Sequence, residues 1–279
     1  VTDAPSPNAA HYGDDDLVAR VQDALDRAGL GAGALGWEAL APLDQFHVGG
    51  LAATKAVAAA LAPTQGARLL DVGCGLGGPS RLLAATYGCE VVGIDLNRRF
   101  VALAAALTER CGLAGRVSHE QADATRLPFP DRHFDLAWTQ HVVMNIADRA
   151  ALYAGIFRVL RPGGRFAMYD VLAGEAGPPH FPVPWARDPS SSFLLTPEAT
   201  RAALEAAGFE VLAWKDVTES GRAWARAGGE AAAARAEPLR ALALPLVMGP
   251  EFPTFAANLS RSLAEGRARL LEAVVRRPD

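Results

Sequence analysis

The chain has 279 residues, half of them apolar, which is enough for a sizeable core in one elaborated α/β domain. Lys and Arg total 27 against 31 Asp and Glu, and the formal net charge of -4 supplies no global attraction to a nucleic-acid backbone. No apolar run reaches the roughly 20 residues needed to cross a bilayer. Three cysteines without Cys-x-x-Cys spacing, behind a polar acidic start, read as reduced thiols in a cytoplasmic protein with no secretory signal and no metal site.

Residues 1–13 lack periodicity and are expected to form a flexible tail. Asp14, Asp15 and Asp16 stand where a helix N-terminus favours negative charge, ahead of Leu17, Val18, Val21 and Leu25 at helical spacing. Glycines over 29–36 end that helix, and a second helix over 50–61 stops before Pro63. Residues 14–62 are thus expected to be a two-helix cap on a core spanning 63–279. In that core, strands are expected over 68–72, 90–94, 116–121, 134–138 and 165–172. Helices over 79–87, 97–110 and 150–160 alternate with them, which specifies a parallel sheet covered on both faces. Pro162-Gly163-Gly164 reads as a helix-to-strand turn. Residues 174–195 break the rhythm with five prolines before Ser192, and read as a lid. Thr196 then caps a helix with Pro197 at its first position. A strand over 209–217, an Ala-rich helix over 223–244 broken near Pro238, a helix over 252–265 and a last strand over 267–276 complete the chain.

The first strand runs into Asp71-Val-Gly73-Cys74-Gly75-Leu-Gly77-Gly78. Gly73, Gly75 and Gly78 satisfy G-x-G-x-x-G, a weak signal that admits a nicotinamide-dependent oxidoreductase. Asp95 follows Gly73 by 22 residues, at the end of the second strand, where a carboxylate can hold two ribose hydroxyls. Asp71 argues against a pyrophosphate, because a carboxylate at that strand mouth repels one and suits an ammonium and a sulfonium. Gly77 and Gly78 serve either the ligand or helix–strand packing, and Cys74 reads as a small apolar filler.

Further elements complete a pattern: Gly-Ile-Asp95, Ala-Asp123-Ala124, Leu-Pro-Phe-Pro-Asp131 and Arg158-Val-Leu-Arg-Pro-Gly-Gly164. Together they resemble the class I S-adenosylmethionine-dependent methyltransferases over residues 68–172. The resemblance implies a doubly wound seven-stranded sheet of order 3-2-1-4-5-7-6 with its last strand antiparallel. It also implies S-adenosylmethionine as cofactor. Asp71, Gly73 and Gly75 would line its methionine moiety, Asp95 take the ribose with Leu96 beside the adenine, and Asp123 and Ala124 meet the adenine. Gln140 falls where the family contacts the methionine end. The Asp123 carboxylate has a second reading as a loop cap.

Leu43-Asp44-Gln45-Phe46-His47 resembles, more loosely, a segment of the sarcosine/dimethylglycine and tocopherol methyltransferases that forms part of the substrate pocket. Phe46, His47, Met144, Phe181 and Trp185 are therefore the substrate-binding candidates. For Phe181 and Trp185 the other reading is that they anchor the lid. A phenol, an indole or an activated carbon must lose a proton, and His141, Asp170 and His47 are the candidate bases. Each also reads structurally: His141 as a hydrogen-bonded histidine, Asp170 as a loop cap, His47 as a polar contact that orders the cap. The expected acceptor is the nitrogen or nucleophilic carbon of a small molecule, such as an indole in natural-product biosynthesis. A phenolic O-methyltransferase is the alternative, and a silent cofactor-binding module a third reading. Neither nucleic acid nor membrane is expected as a partner; apolar surface on the first helices is compatible with a homodimer.

Overall fold

The computed structural model describes residues 17–233 and 242–279. The expected tail, the Asp14–Asp16 helix start and the break near Pro238 lie outside the described residues. Among the described residues, four segments precede the sheet: α1 (Leu17–Arg27), a 3-10 turn (Trp37–Leu40), the single turn α2 (Ala41–Asp44) and α3 (Gly50–Leu61). The stretch that reads as a break between two helices thus holds two further short turns. Leu17, Val21 and Leu25 give α1 one apolar stripe, which packs on Phe100, Leu103 and Leu107.

The core alternates β1 (Arg68–Val72), α4 (Gly78–Tyr87), β2 (Glu90–Asp95), α5 (Arg98–Arg110), β3 (Val117–Gln121), β4 (Phe134–Gln140) and α6 (Arg149–Val159). Next come β5 (Leu160–Ala173), α7 (Pro197–Ala206), β6 (Glu210–Asp216), α8 (Thr218–Ala233), α9 (Leu244–Met248), α10 (Phe252–Ala264) and β7 (Ala268–Arg276). The sheet order is β3-β2-β1-β4-β5-β7-β6. β7 runs antiparallel to both of its neighbours, and the remaining pairs are parallel. Leu69 and Trp138 face one hydrophobic layer with α3, while Leu70 and Ala137 face another with α6. Burial on both faces is why these strands read as unbroken apolar runs.

β5 starts earlier than its sequence indicates. Leu160 already pairs with Phe134, and the register then slips before Leu136 meets Arg165. Pro162-Gly163-Gly164 is therefore an irregularity inside a strand, tied to β7's end by Gly163 N–H to Arg277 O (2.9 Å) and Arg277 N–H to Gly164 O (2.8 Å). Thr196 caps α7 as expected, accepting from Ala199 N. Among the described residues, no helix is long and apolar enough to cross a membrane.

The strand order reverses between β1 and β4, and the crevice beyond their carboxyl ends is where a doubly wound sheet takes its ligands. The residues leaving those two strands are Gly73 and His141.

Candidate active site

Gly73 turns the chain out of β1 with φ 73°, and its N–H donates to Ile94 O at 2.8 Å. A Cβ placed there would stand 2.4 Å from a Val142 methyl carbon, so a residue of the β4 loop occupies the space that a side chain would need. Gly75 N–H donates to Asp95 Oδ2 (3.0 Å), and Asn97 N–H donates to Asp95 Oδ1 (2.8 Å). The carboxylate at the end of β2 is thereby aimed by the loop after β1. Asp71 is buried beside it, accepts from Ser80 Oγ at 2.5 Å, and is pushed up to about 7 by burial.

One cavity of about 490 Å³ joins these groups to the far side of the crevice. All of the cofactor candidates line it: Asp71, Gly73, Gly75, Asp95, Leu96, Asp123, Ala124 and Gln140. Asp123 also caps its own loop, accepting from Thr125 N–H (2.8 Å) and Thr125 Oγ1 (2.7 Å). Phe46, His47, Met144, Trp185 and His141 line the cavity as well. Phe181 does not; it packs against the hydrophobic layer that contains Trp185. Trp185 is itself pinned, since its Nε1–H donates to Ser192 Oγ at 2.9 Å.

The three candidate bases are placed differently. Asp170 is fully buried and absent from the cavity wall. Its Oδ1 accepts from Val142 N–H (2.7 Å) and Val143 N–H (3.1 Å), and its Oδ2 from Thr139 Oγ1 (3.3 Å). The carboxylate expected as a base thus holds the loop after β4. His47 lines the cavity with both ring nitrogens engaged. Its Nδ1 lies 3.2 Å from Gln140 Nε2 and 3.3 Å from Val48 O, and its Nε2 lies 3.1 Å from Gln45 Oε1 and 3.0 Å from Thr54 Oγ1. Burial lowers His47 to about 4, so the ring is neutral.

His141 stands apart. It sits at φ 54°, an uncommon conformation for a side chain with a Cβ, and its ring stacks on Tyr169 at 5.4 Å and 8°. Burial holds it well below the usual histidine range, and its Nε2 is buried without a hydrogen-bond partner. A strained backbone and an orphaned polar atom coincide at the mouth of β4.

Sequence reading missed several wall residues, among them Asp44, Phe100, Phe193 and Met248. Asp44 lay inside the quoted Leu43–His47 segment, but its partner is 37 residues further on: Arg81 Nη2 donates to Asp44 Oδ2 at 2.7 Å in a fully buried ion pair. Among the described residues, no Lys or Arg lines the cavity, while Asp44, Asp71, Asp95, Asp123 and Asp148 do.

A methyltransferase-domain family model matches residues 70–168. The O-methyltransferase resE of Aspergillus sclerotiorum is 32% identical over 191 residues, which cover 67% of this chain and 71% of that protein. The chain belongs to the class I S-adenosylmethionine-dependent methyltransferases. The methyltransferase is also 32% identical, over 159 residues, to a sterol 24-C-methyltransferase of Eremothecium gossypii, a match that spans 55% of this chain and 43% of that protein. Among solved structures it is similar to the [4+2]-cyclase SpnF, with a TM-score of 0.68, 28% identity, and coverage of 99% of this chain and 97% of that one. The Haemonchus contortus phosphoethanolamine N-methyltransferase 2 in complex with S-adenosyl-L-methionine shares the fold, at a TM-score of 0.72 and 20% identity, over 92% of this chain and 60% of that one.

The cofactor is S-adenosylmethionine, and the wall fits it. The ribose hydroxyls would find the Asp95 carboxylate, and the cationic amino-acid end would find carboxylates with no Lys or Arg on the wall among the described residues. The half-exposed Leu96 offers an apolar edge at the cavity wall. When bound, the cofactor supplies an activated methyl group on sulfur.

Proposed function

We propose that this methyltransferase acts on the nitrogen or nucleophilic carbon of an uncharged, largely apolar small molecule, an aromatic heterocycle such as an indole being a fitting example. The single observation that carries this reading is a cavity wall that His141 lines and that holds no Lys or Arg among the described residues. A buried phosphate or carboxylate on the acceptor would find no counter-charge there and would face carboxylates instead. Met144, Trp185, Phe193 and Met248 offer an apolar surface to a planar ring.

In this reading Asp170 and Tyr169 hold the His141 loop, and His141 faces the acceptor. A neutral imidazole accepts a hydrogen bond from N–H or O–H and can take the proton that an indole, activated carbon or phenol releases. A phenolic oxygen is therefore the alternative acceptor. Most of the remaining work of the chain is alignment of the nucleophile and exclusion of water.

The test is a mass-spectrometric screen with S-adenosylmethionine over amines, indoles, phenols and activated carbons, each paired with a phosphorylated or carboxylated analogue. A product about 14 mass units heavier from a neutral acceptor, reduced in His141→Asn, supports the reading. Turnover of the charged analogues in preference to the neutral ones would refute it. A second reading, favoured by similarity to the [4+2]-cyclase over nearly the whole chain, is intramolecular ring closure of a polyene in the same cavity. That reaction leaves the mass unchanged and consumes no S-adenosylmethionine, so the same assay with a polyene substrate separates the two.

A further inference from the structure

The segment between β5 and α7 is fastened in two places, and each place holds a different half of it. The first half is tied to α10 and the turn that follows it. His180 N–H donates to Ser262 Oγ (2.9 Å), Asn258 Nδ2 donates to Pro182 O (2.9 Å), and His180 Nε2 meets Glu265 Oε2 at 2.6 Å. These contacts lie off the cavity wall, whereas the second half supplies Pro184, Trp185, Ser191 and Phe193 to it. In that half Trp185 Nε1–H donates to Ser192 Oγ (2.9 Å), Phe193 N–H donates to Met144 O (2.9 Å), and Arg149 Nη2 donates to Phe193 O. An ion pair of Arg187 with Glu251 (2.9 Å) also reaches this half, but both side chains are more than half exposed and such a pair contributes little. Phe193 is thus gripped at its amide and at its carbonyl, and the partner of its amide, Met144, is itself on the wall.

Arg149 opens α6 directly after Asp148, which caps the helix. It is 8% exposed and absent from the cavity wall. Among the described residues its Nε and Nη1 have no hydrogen-bond partner, so the bond to Phe193 O is made by Nη2 alone. The charge of the buried Asp170 offsets part of the burial of the guanidinium. Asp170 is also the clamp on Val142 and Val143, which places Arg149 between the β4 loop and the returning end of the lid. A buried cation so sparsely bonded is a poor device for stability, and an apolar side chain of similar volume often serves that purpose as well or better. What an apolar side chain cannot supply is a donor to the Phe193 carbonyl.

We propose that Arg149 is a positioning residue for the acceptor side of the cavity. By holding the Phe193 carbonyl it seats the second half of the lid on the β4 loop, and so fixes the wall made by Met144, Trp185 and Phe193. The inference rests on the reading of that wall as the acceptor site. It makes the shape of the aromatic wall depend on a residue outside the cavity. Because one donor carries the contact, a lysine at this position suffices.

The test is hydrogen exchange read by mass spectrometry on the full chain saturated with S-adenosylhomocysteine, for wild type, Arg149→Met and Arg149→Lys. In Arg149→Met, peptides over 184–195 should exchange about 10- to 100-fold faster, the range set by one charge-assisted hydrogen bond. Peptides over 174–182, held by α10, and those of β1 and β2 should keep wild-type rates. Arg149→Lys should restore protection over 184–195 to within about threefold of wild type, and both variants should bind S-adenosylhomocysteine within about twofold of it. With an acceptor that wild type methylates, kcat/KM for that acceptor should fall about 10- to 100-fold in Arg149→Met, while KM for S-adenosylmethionine stays within about twofold. Unchanged exchange over 184–195 in Arg149→Met overturns the inference. Faster exchange spread evenly over the sheet overturns it too, because Arg149 would then serve general stability. So does an Arg149→Lys variant as unprotected as Arg149→Met, which would assign the effect to the guanidinium shape rather than to the one bond. A wild type that methylates no neutral acceptor strikes the acceptor reading instead, and the exchange rates still decide the role of Arg149.

Discussion

Replacing Asp170 separates a base from a loop clamp. Its carboxylate accepts two backbone N–H groups from the β4 loop and the Thr139 hydroxyl, and touches no part of the cavity wall. Asp170→Ala leaves the Val142 and Val143 N–H groups without an acceptor, at about 1–3 kcal/mol each, or about 2–6 kcal/mol together. At about 2 °C per kcal/mol for a chain of this size, the melting temperature should fall by about 4–12 °C. Asp170→Asn keeps an acceptor oxygen for both N–H groups and should lose less than tenfold in kcat, about 1.4 kcal/mol. Removal of a general base would cost about 10²–10⁴-fold in either variant and spare the melting temperature. Thermal unfolding and turnover of the two variants decide between these outcomes; an Asn variant as inactive as the Ala variant, with both as stable as wild type, refutes the clamp. A pH series adds a second reading. Burial raises the folded-state carboxyl to about 7 from 3.8. The stability tied to its neutral form is fully present below about 4 and is lost as pH rises through about 7. That gap is worth up to about 4 kcal/mol, so Asp170→Asn should gain on wild type as pH rises from 5 to 9.

Three further outcomes are expected. Gly73→Ala combines a left-handed backbone, costing about 1–2 kcal/mol, with a contact at 2.4 Å to Val142, and calorimetry should show S-adenosylhomocysteine binding weakened at least tenfold. Asp95→Ala removes the acceptor of the Gly75 and Asn97 N–H groups together with the proposed ribose contact; unchanged affinity would overturn that placement of the ribose. Arg81→Met strands Asp44 in a buried site and should cost about 3–5 kcal/mol in denaturant titrations, more than the Asp44→Asn/Arg81→Met double variant does.

Much of the fold was legible because its determinants are local. Apolar runs bounded by glycine and proline mark β1, β2, β4 and β5, and Thr196-Pro197 marks the start of α7. The glycine loop, Asp95 and Asp123 could be assigned to one site because each follows a parallel strand directly, and parallel strands bring their carboxyl ends to one edge of the sheet. What a side chain faces within that edge depends on partners far away in sequence. Asp170 turns to loop amides 27 and 28 residues before it, Gln140 reaches His47 across 93 positions, and Arg81 meets Asp44 across 37. No periodicity encodes such pairs, because a strand residue's face is set by its register and its hydrogen bonds by whatever the opposite element presents. The sequence alone therefore marked the strands and the edge that gathers the glycine loop, Asp95 and Asp123, and through its resemblance to the family implied the sheet order and the cofactor class. Only the tertiary structure decided that Asp170 and Phe181 stand outside the cavity, that both nitrogens of His47 are engaged, and that His141 Nε2 is left without a partner.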